Sequence, residues 1–227
     1  LPLYHDQIPV AYLTQLRVLP ADILLGVLER SRNNERTKIF NSALGLGTVD
    51  SMYRKQRLVP FGEFLPFRNY LSILGKIVGD NDFSSGNQSR LITTSDGIKI
   101  IPIICYEIIF FNDIITNANY ENSILVNITN DSWFGNLSGP YQHFYLSRMR
   151  AVEFNKNLIR VSNNGISAII NNKGNIIDYI PLNSSGIKEI KINYFFSNNL
   201  LFYHNLFYMW LFIICFFAII INRIDNE

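Results

Sequence analysis

Five consecutive apolar residues, Ile100-Ile101-Pro102-Ile103-Ile104, broken at once by Cys105, Tyr106 and Glu107, constrain this chain more than any other stretch. A run too short for a helix and apolar on both faces predicts a strand buried in the middle of a sheet. Ser123–Ile128 is a second run of this kind. Leu158–Ser162, Ser167–Ile170 and Asn175–Ile180 continue the series, the last two joined by the turn Asn171-Asn172-Lys173-Gly174. Leu91–Thr94 and Ile98–Ile104 flank the turn Ser95-Asp96-Gly97. Ala21–Leu28 and Lys38–Leu46 flank the polar SRNNERTK and predict a hairpin, with Ser51–Val59 a further extended segment. Helices are predicted over Val10–Leu19, which stops at Pro20, over Glu107–Asn117, and over Tyr141–Asn155 just after Pro140. Buried strands alternating with helices make an α/β domain in which helices cover a sheet.

A chain of 227 residues supports one good-sized core plus an appendage. The net charge of +2, with no basic stripe, excludes a nucleic-acid surface. Two cysteines, Cys105 and Cys215, the second in an apolar tail, exclude a disulfide framework and a zinc site. That tail, residues 200–221, carries no formal charge, and about 20 apolar residues cross a bilayer core. Tyr203, Tyr208 and Trp210 suit an interfacial belt, so a transmembrane helix is expected over 198–223, followed by a short polar tail at 224–227. At the other end, LPLYHDQIPV is neither a signal peptide nor a transit sequence and reads as the middle of a domain. A chain cut from a longer protein, or a gene that has lost its front, is expected.

Three stretches carry possible chemistry. Cys105 lies where a buried strand meets a predicted helix, so its thiol projects from a sheet edge beside free backbone N–H groups and the helix dipole. It is either a nucleophile or a small buried hydrophobe. In YRKQRLVPFGEF, Lys55 sits on an extended segment and Glu63 in the loop that follows. A buried lysine beside a thiol stabilises thiolate and developing oxyanion charge, and a carboxylate takes a proton or holds that lysine. Solvated surface charge is the other reading, preferred for Arg54 and Arg57. NDSWFGNLSGPYQHF follows a core strand, where site loops of α/β sheets gather; its His143 falls in the first turn of a predicted helix and reads as structural or capping. His5 and His204 are weaker still. No metal spacing, phosphate-binding glycine loop or Ser–His–Asp signal is present. The irregular stretch 64–89 offers Phe67, Tyr70, Leu71, Ile73, Leu74, Ile77 and Val78 as contacts over the site or with a bilayer, or as ordinary packing.

LVPFGEF, ICYE, NDSWFG, GPYQHF, RMRAVE and NNGISA, in this order and followed by one apolar span, resemble the nitrilase-like domain of the apolipoprotein N-acyltransferases. The resemblance covers essentially the whole chain and is strongest from Tyr53 to Ile170. It implies an α-β-β-α sandwich of the nitrilase-like (carbon–nitrogen hydrolase) kind, set on the bacterial inner (cytoplasmic) membrane and facing the periplasm. It implies acyl transfer: a phospholipid donates an acyl chain to the cysteine as a thioester, and the chain passes to the α-amine of a diacylglyceryl-modified lipoprotein. Cys105 is then the nucleophile and Lys55 the lysine of a Glu–Lys–Cys triad. Glu63 is the further glutamate near it, and Tyr106 and Glu107 are supporting residues that the family also requires. Phospholipid, lipoprotein and membrane are the implied partners, with no cofactor and no nucleic acid.

One departure matters. The family's triad glutamate precedes the leucine-proline matched by Leu1-Pro2, and Asp6 and Glu29 have no motif support for its role. The nitrilase-like domain, expected over 1–197, would therefore lack its first strands and its general base, and this chain alone is expected to be inactive. A membrane-tethered amidase or nitrilase, and a non-catalytic remnant, are the alternatives.

Overall fold

The computed structural model describes residues 4–19, 21–33, 36–47, 51–67, 82–110, 114, 123–189, 191 and 207–217. Two sheets stand at its centre. Strands β1 (Ile23–Asn33), β2 (Arg36–Leu46) and β3 (Ser51–Arg54) form an antiparallel meander. Strands β4 (Ile92–Thr93), β5 (Lys99–Ile104), β6 (Ser123–Asn130), β7 (Leu158–Asn163), β8 (Ser167–Ile170) and β9 (Ile176–Ile180) make a second sheet in that spatial order. Its central pairs β5–β6 and β6–β7 are parallel, and the flanking pairs are antiparallel.

Period-two alternation explains why β5 is apolar on both faces. Ile101 and Ile103 pack with Leu125, Leu158, Phe144 and Ala151 beneath helix α2 (Ser138–Glu153). Ile104 and Ile100 pack with Ala43 and Tyr53 of the other sheet. On the outer face of that sheet, Leu13 of helix α1 (Val10–Val18) meets Val27, Leu44 and Leu46. The layers are thus helix, sheet, sheet, helix, the order that the motif resemblance implies. The sheets approach closely at Gly26, where an added Cβ would lie 3.1 Å from the Ile128 side chain. Pro102 is tolerated inside β5 because β4 pairs only with Lys99 and Ile100, and the Pro102 carbonyl accepts from Arg90 at 3.3 Å instead of from a strand.

Three segments depart from the sequence reading. The hairpin strand from Ile23 runs on to Asn33, because the polar residues predicted as turn continue the ladder with Arg36–Lys38. The ladder of β3 stops at Arg54, and one further bond, Lys55 N–H to the Asn41 carbonyl at 2.8 Å, ends the pairing. In place of a helix starting at Glu107, a 3-10 turn spans Cys105–Ile109 and closes at Phe110; most of 111–122 lies outside the described residues. Phe67 is exposed, while Tyr70, Leu71, Ile73, Leu74, Ile77 and Val78 lie outside the described residues. Among the described residues no helix is long and apolar enough to cross a membrane. The segment 207–217 is helical, and the predicted span extends beyond it on both sides, outside those residues.

Candidate active site

Cys105 sits at the end of β5 with φ of +52°, a left-handed conformation that a residue with a Cβ rarely adopts. Strain of this kind costs about 1–3 kcal/mol and persists only where neighbours enforce it. Glu107 is one enforcer: its Oε2 reaches back over the bend to accept the Ile104 N–H at 2.8 Å. Asn127 is another, donating from Nδ2 to the Cys105 carbonyl at 3.3 Å. The thiol is half-buried rather than sealed in the core. With only a short 3-10 turn behind it, the predicted helix dipole is not what would favour its thiolate; side-chain cations stand nearby in its place.

Lys55 is one of them. Its side chain is fully buried, and Nζ donates to both Glu63 oxygens, at 2.8 and 2.7 Å. Backbone clamps hold it on both sides, through the Asn41 carbonyl and the Gly86 N–H, each at 2.8 Å. Gly86 has to be small, since a Cβ there would lie 2.5 Å from the Arg54 carbonyl oxygen. The LVPFGEF stretch is a tight loop around the Glu63 carboxylate, which also accepts from Val59 N–H at 2.9 Å and from Asn41 Nδ2 at 3.2 Å. Such a buried pair needs these extra donors to offset the desolvation of its charges.

Glu107 is a structural hub. It is 1% exposed and accepts from Tyr53 Oη at 2.9 Å, Gln56 N–H at 2.8 Å, Arg57 N–H at 3.2 Å and both terminal nitrogens of fully buried Arg90. Burial, and then the adjoining carboxylate, push the Tyr53 phenol far above its ordinary range, so it stays a donor. The turn that carries the cysteine is thereby bolted to the strand that leads into Lys55. Arg54, expected on the surface, instead pairs with Glu29 and stacks over Phe40. Glu29 is committed there, and Asp6 faces Arg30 at 4.0 Å.

Cys105, Tyr106, Lys55 and Glu63 line one cavity of about 400 Å³ whose other walls are largely apolar, including Val59, Phe83, Ile128 and Phe134. Trp133, 79% exposed, stands among its lining residues. Such a chamber suits an apolar acyl chain with its reactive carbonyl at the polar end. Among the described residues no group of His, Cys, Asp and Glu could hold a metal ion.

Behind the bend lies a buried cluster that the sequence reading did not assemble. Asp131 Oδ1 accepts from His143 Nδ1 at 2.9 Å and from Thr129 Oγ1 at 3.1 Å; its Oδ2 accepts from Arg160 at 2.7 Å. Arg160 also donates to Asn127 Oδ1, to Ser147 Oγ at 3.0 Å and to the Ile166 carbonyl at 3.2 Å. A Cβ on Gly165 would come within 2.1 Å of Asp131 Oδ2, so only glycine fits there. The signal was present: an arginine in Leu158-Ile159-Arg160-Val161 and an asparagine in Leu125-Val126-Asn127-Ile128 are polar residues inside strands that otherwise read as core. His143 proves structural as read, but it is buried and locked to Asp131 rather than capping a helix end.

The cluster makes stability depend on pH. Burial, reinforced by the Arg160 charge, holds His143 below its ordinary 6.5 against the pull of Asp131 and the Cys105 carbonyl. Burial works to raise Asp131, but the His143 hydrogen bond and the Arg160 charge outweigh it and hold the carboxyl below its usual range. Both groups bind protons more weakly folded than unfolded. Their contribution is complete above about pH 6.5 and is lost as pH falls, through His143 first and Asp131 in stronger acid, at up to about 1.4 kcal/mol per pH unit for each proton. Melting temperature is therefore expected to fall between pH 7 and 5, and His143→Gln is expected to flatten that slope. Equal slopes in the two proteins would contradict it.

The family described as Carbon-nitrogen hydrolase matches residues 21–194. The apolipoprotein N-acyltransferase of Rickettsia typhi is 39% identical over 185 residues, 78% of this chain and 37% of that protein. That of Rhizobium rhizogenes is 43% identical over 148 residues, 64% of this chain and 28% of that protein. The chain spans about a third of the length of the curated relatives it matches, from 28% to 37%. The solved carbon–nitrogen hydrolase from Helicobacter pylori G27 shares the fold, with a TM-score of 0.57 at 14% identity over 76% of this chain and 62% of that one. The similarity bears out the family resemblance read from the ordered motifs. With the match running through both sheets and every motif from LVPFGEF to NNGISA, the chain belongs to the carbon–nitrogen hydrolase family.

Proposed function

We propose that this chain is the Cys–Lys–Glu part of an apolipoprotein N-acyltransferase, acting on the periplasmic side of a bacterial inner membrane. One observation carries the reading: a strained cysteine shares a largely apolar cavity with a fully buried Lys55 and the Glu63 carboxylate paired to it. The Cys105 sulfur gives up its proton and attacks a phospholipid ester carbonyl; the C–S bond forms, the ester C–O bond breaks, and that proton leaves on the lysophospholipid. The α-amine of a diacylglyceryl-cysteine then attacks the thioester, the amide forms as the C–S bond breaks, and the proton lost by the amine returns to the Cys105 sulfur. Two Lys55 N–H groups are held by Glu63. Among the described residues the third has no partner, which suits it to the oxyanion. Glu107 supports the site by holding the turn, and Tyr106 lines the cavity beside the thiol.

Residues 1–197 act as the nitrilase-like domain and 198–223 as a single membrane span ahead of the polar tail. The helical segment 207–217, with side chains such as Phe212 and Ile214 exposed, supports this. Among the described residues Glu63 is the single carboxylate on Lys55, and the family resemblance implies a further glutamate as general base. Slow loading and little turnover are accordingly expected of this chain by itself.

The test is to incubate the chain in phosphatidylethanolamine vesicles, and separately with short soluble amides. Phospholipid is expected to leave a hydroxylamine-labile acyl group on Cys105 that a diacylglyceryl-cysteinyl peptide removes. Ammonia release from the amides with no loading from lipid would replace this reading with a tethered amidase; neither reaction would favour a non-catalytic remnant.

A further inference from the structure

Nothing in the acyl-transfer reading uses the cluster behind Cys105, yet its members come from four separate segments and end on the nucleophile. The chain of contacts is continuous. Asp131 and Ser147 hold the Arg160 guanidinium at 2.7 and 3.0 Å, and Arg160 donates to Asn127 Oδ1. Asn127, so oriented, turns its amide Nδ2 on the Ile103 and Cys105 carbonyls at 3.1 and 3.3 Å. An asparagine amide has a distinct donor end and acceptor end, so fixing the oxygen fixes the donor. Asn127 and Arg160 are 0% and 1% exposed, so neither has water as an alternative partner.

We propose that Arg160 is a positioning residue for Cys105: through Asn127 it holds the carbonyl of the left-handed bend. This rests on Cys105 being the nucleophile. Surface electrostatics do not explain a guanidinium taken entirely out of water, since that arrangement is costly unless every donor is matched. Arg160 is matched on Asn127, Ser147, Asp131 and the Ile166 carbonyl, and Gly165 leaves room for the carboxylate. Arginine rather than lysine suits the place because a planar fork serves several acceptors at once.

Alkylation of the 227-residue chain by iodoacetamide tests this without turnover. The thiolate sulfur displaces iodide, and peptide-resolved mass spectrometry separates Cys105 from exposed Cys215. Around the bend stand Lys55 and Glu63, Tyr106, Glu107 and Arg90, and Asp131 and His143. These stay constant across the comparison, and a His143→Gln background removes any proton taken up there. Arg160→Gln is expected to slow Cys105 alkylation near neutral pH roughly tenfold relative to Cys215. Arg160→Lys, which still donates to Asn127, is expected to restore part of that rate. A folded Arg160→Gln chain alkylated at Cys105 as fast as the unaltered chain would overturn the proposal. Should Arg160→Gln not fold, Asn127→Ala decides: at least about tenfold slower acylation by p-nitrophenyl octanoate is expected. Acylation at the unaltered rate would overturn it. If the unaltered chain takes no acyl group while the Arg160→Gln slowing appears, the acyl-transfer reading fails and the positioning role stands.

Discussion

Lys55→Met is expected to slow acylation of Cys105 by about 10³-fold or more, since removing one oxyanion donor from a preorganised site costs about 10²–10³ and the thiolate loses a neighbouring cation as well. The same change strands Glu63, which is 14% exposed, without its counter-ion. Breaking one side of a buried pair costs about 3–5 kcal/mol. A loss of acylation could therefore reflect unfolding alone. Lys55→Met combined with Glu63→Gln separates the two, because removing both charges leaves no unpaired ion and the Gln carbonyl still accepts from Val59 and Asn41. The pair is expected to melt within a few degrees of the unaltered chain, by circular dichroism, and to remain as poorly acylated as the single variant. Recovery of acylation in the pair would mean that Lys55 matters only as Glu63's partner.

The second large effect is on stability. Glu107→Ala removes the acceptor for Arg90, Tyr53 and the N–H groups of Gln56, Arg57 and Ile104 in one step. An arginine left buried and uncompensated costs about 3–5 kcal/mol. For a chain of this size that is a fall in melting temperature of roughly 10–15 °C. Arg90→Met added to Glu107→Ala is expected to lower it no further, and to recover part of the loss, because contacting residues do not act additively. Additive losses would show that Glu107 and Arg90 stabilise the fold separately. The melts of the two single variants and the double variant supply the comparison.

Much of this is legible in the sequence. The both-face apolar runs at Ile100–Ile104 and Ser123–Ile128 announce buried strands, and the structure pairs them in parallel as β5 and β6, with β7 alongside. Cys105 at the end of one such run, and Lys55 eight residues before Glu63, were visible as chemistry without a partner, and the cavity brings them together. Two kinds of feature were hidden. Period and propensity say nothing of an ion pair 29 residues apart, so Asp131–Arg160 emerged only from the register of β6 against β7. The turn at Cys105–Ile109 was misread as the start of a helix because helix spacing records burial of Ile108 and Glu107, not the hydrogen bond with which Glu107 ties itself to Ile104. Arg54 was misassigned for a related reason: its partner Glu29 lies on a strand separated from it by β2.

The most direct measurement is the site of acylation when the unaltered chain meets an activated ester such as p-nitrophenyl octanoate. Peptide-resolved mass spectrometry is expected to find one hydroxylamine-labile octanoyl group per chain on Cys105, formed well ahead of any on exposed Cys215. Octanoyl groups appearing on Cys215 or on surface lysines while Cys105 stays unmodified would contradict the assignment of Cys105, backed by Lys55, as the nucleophile.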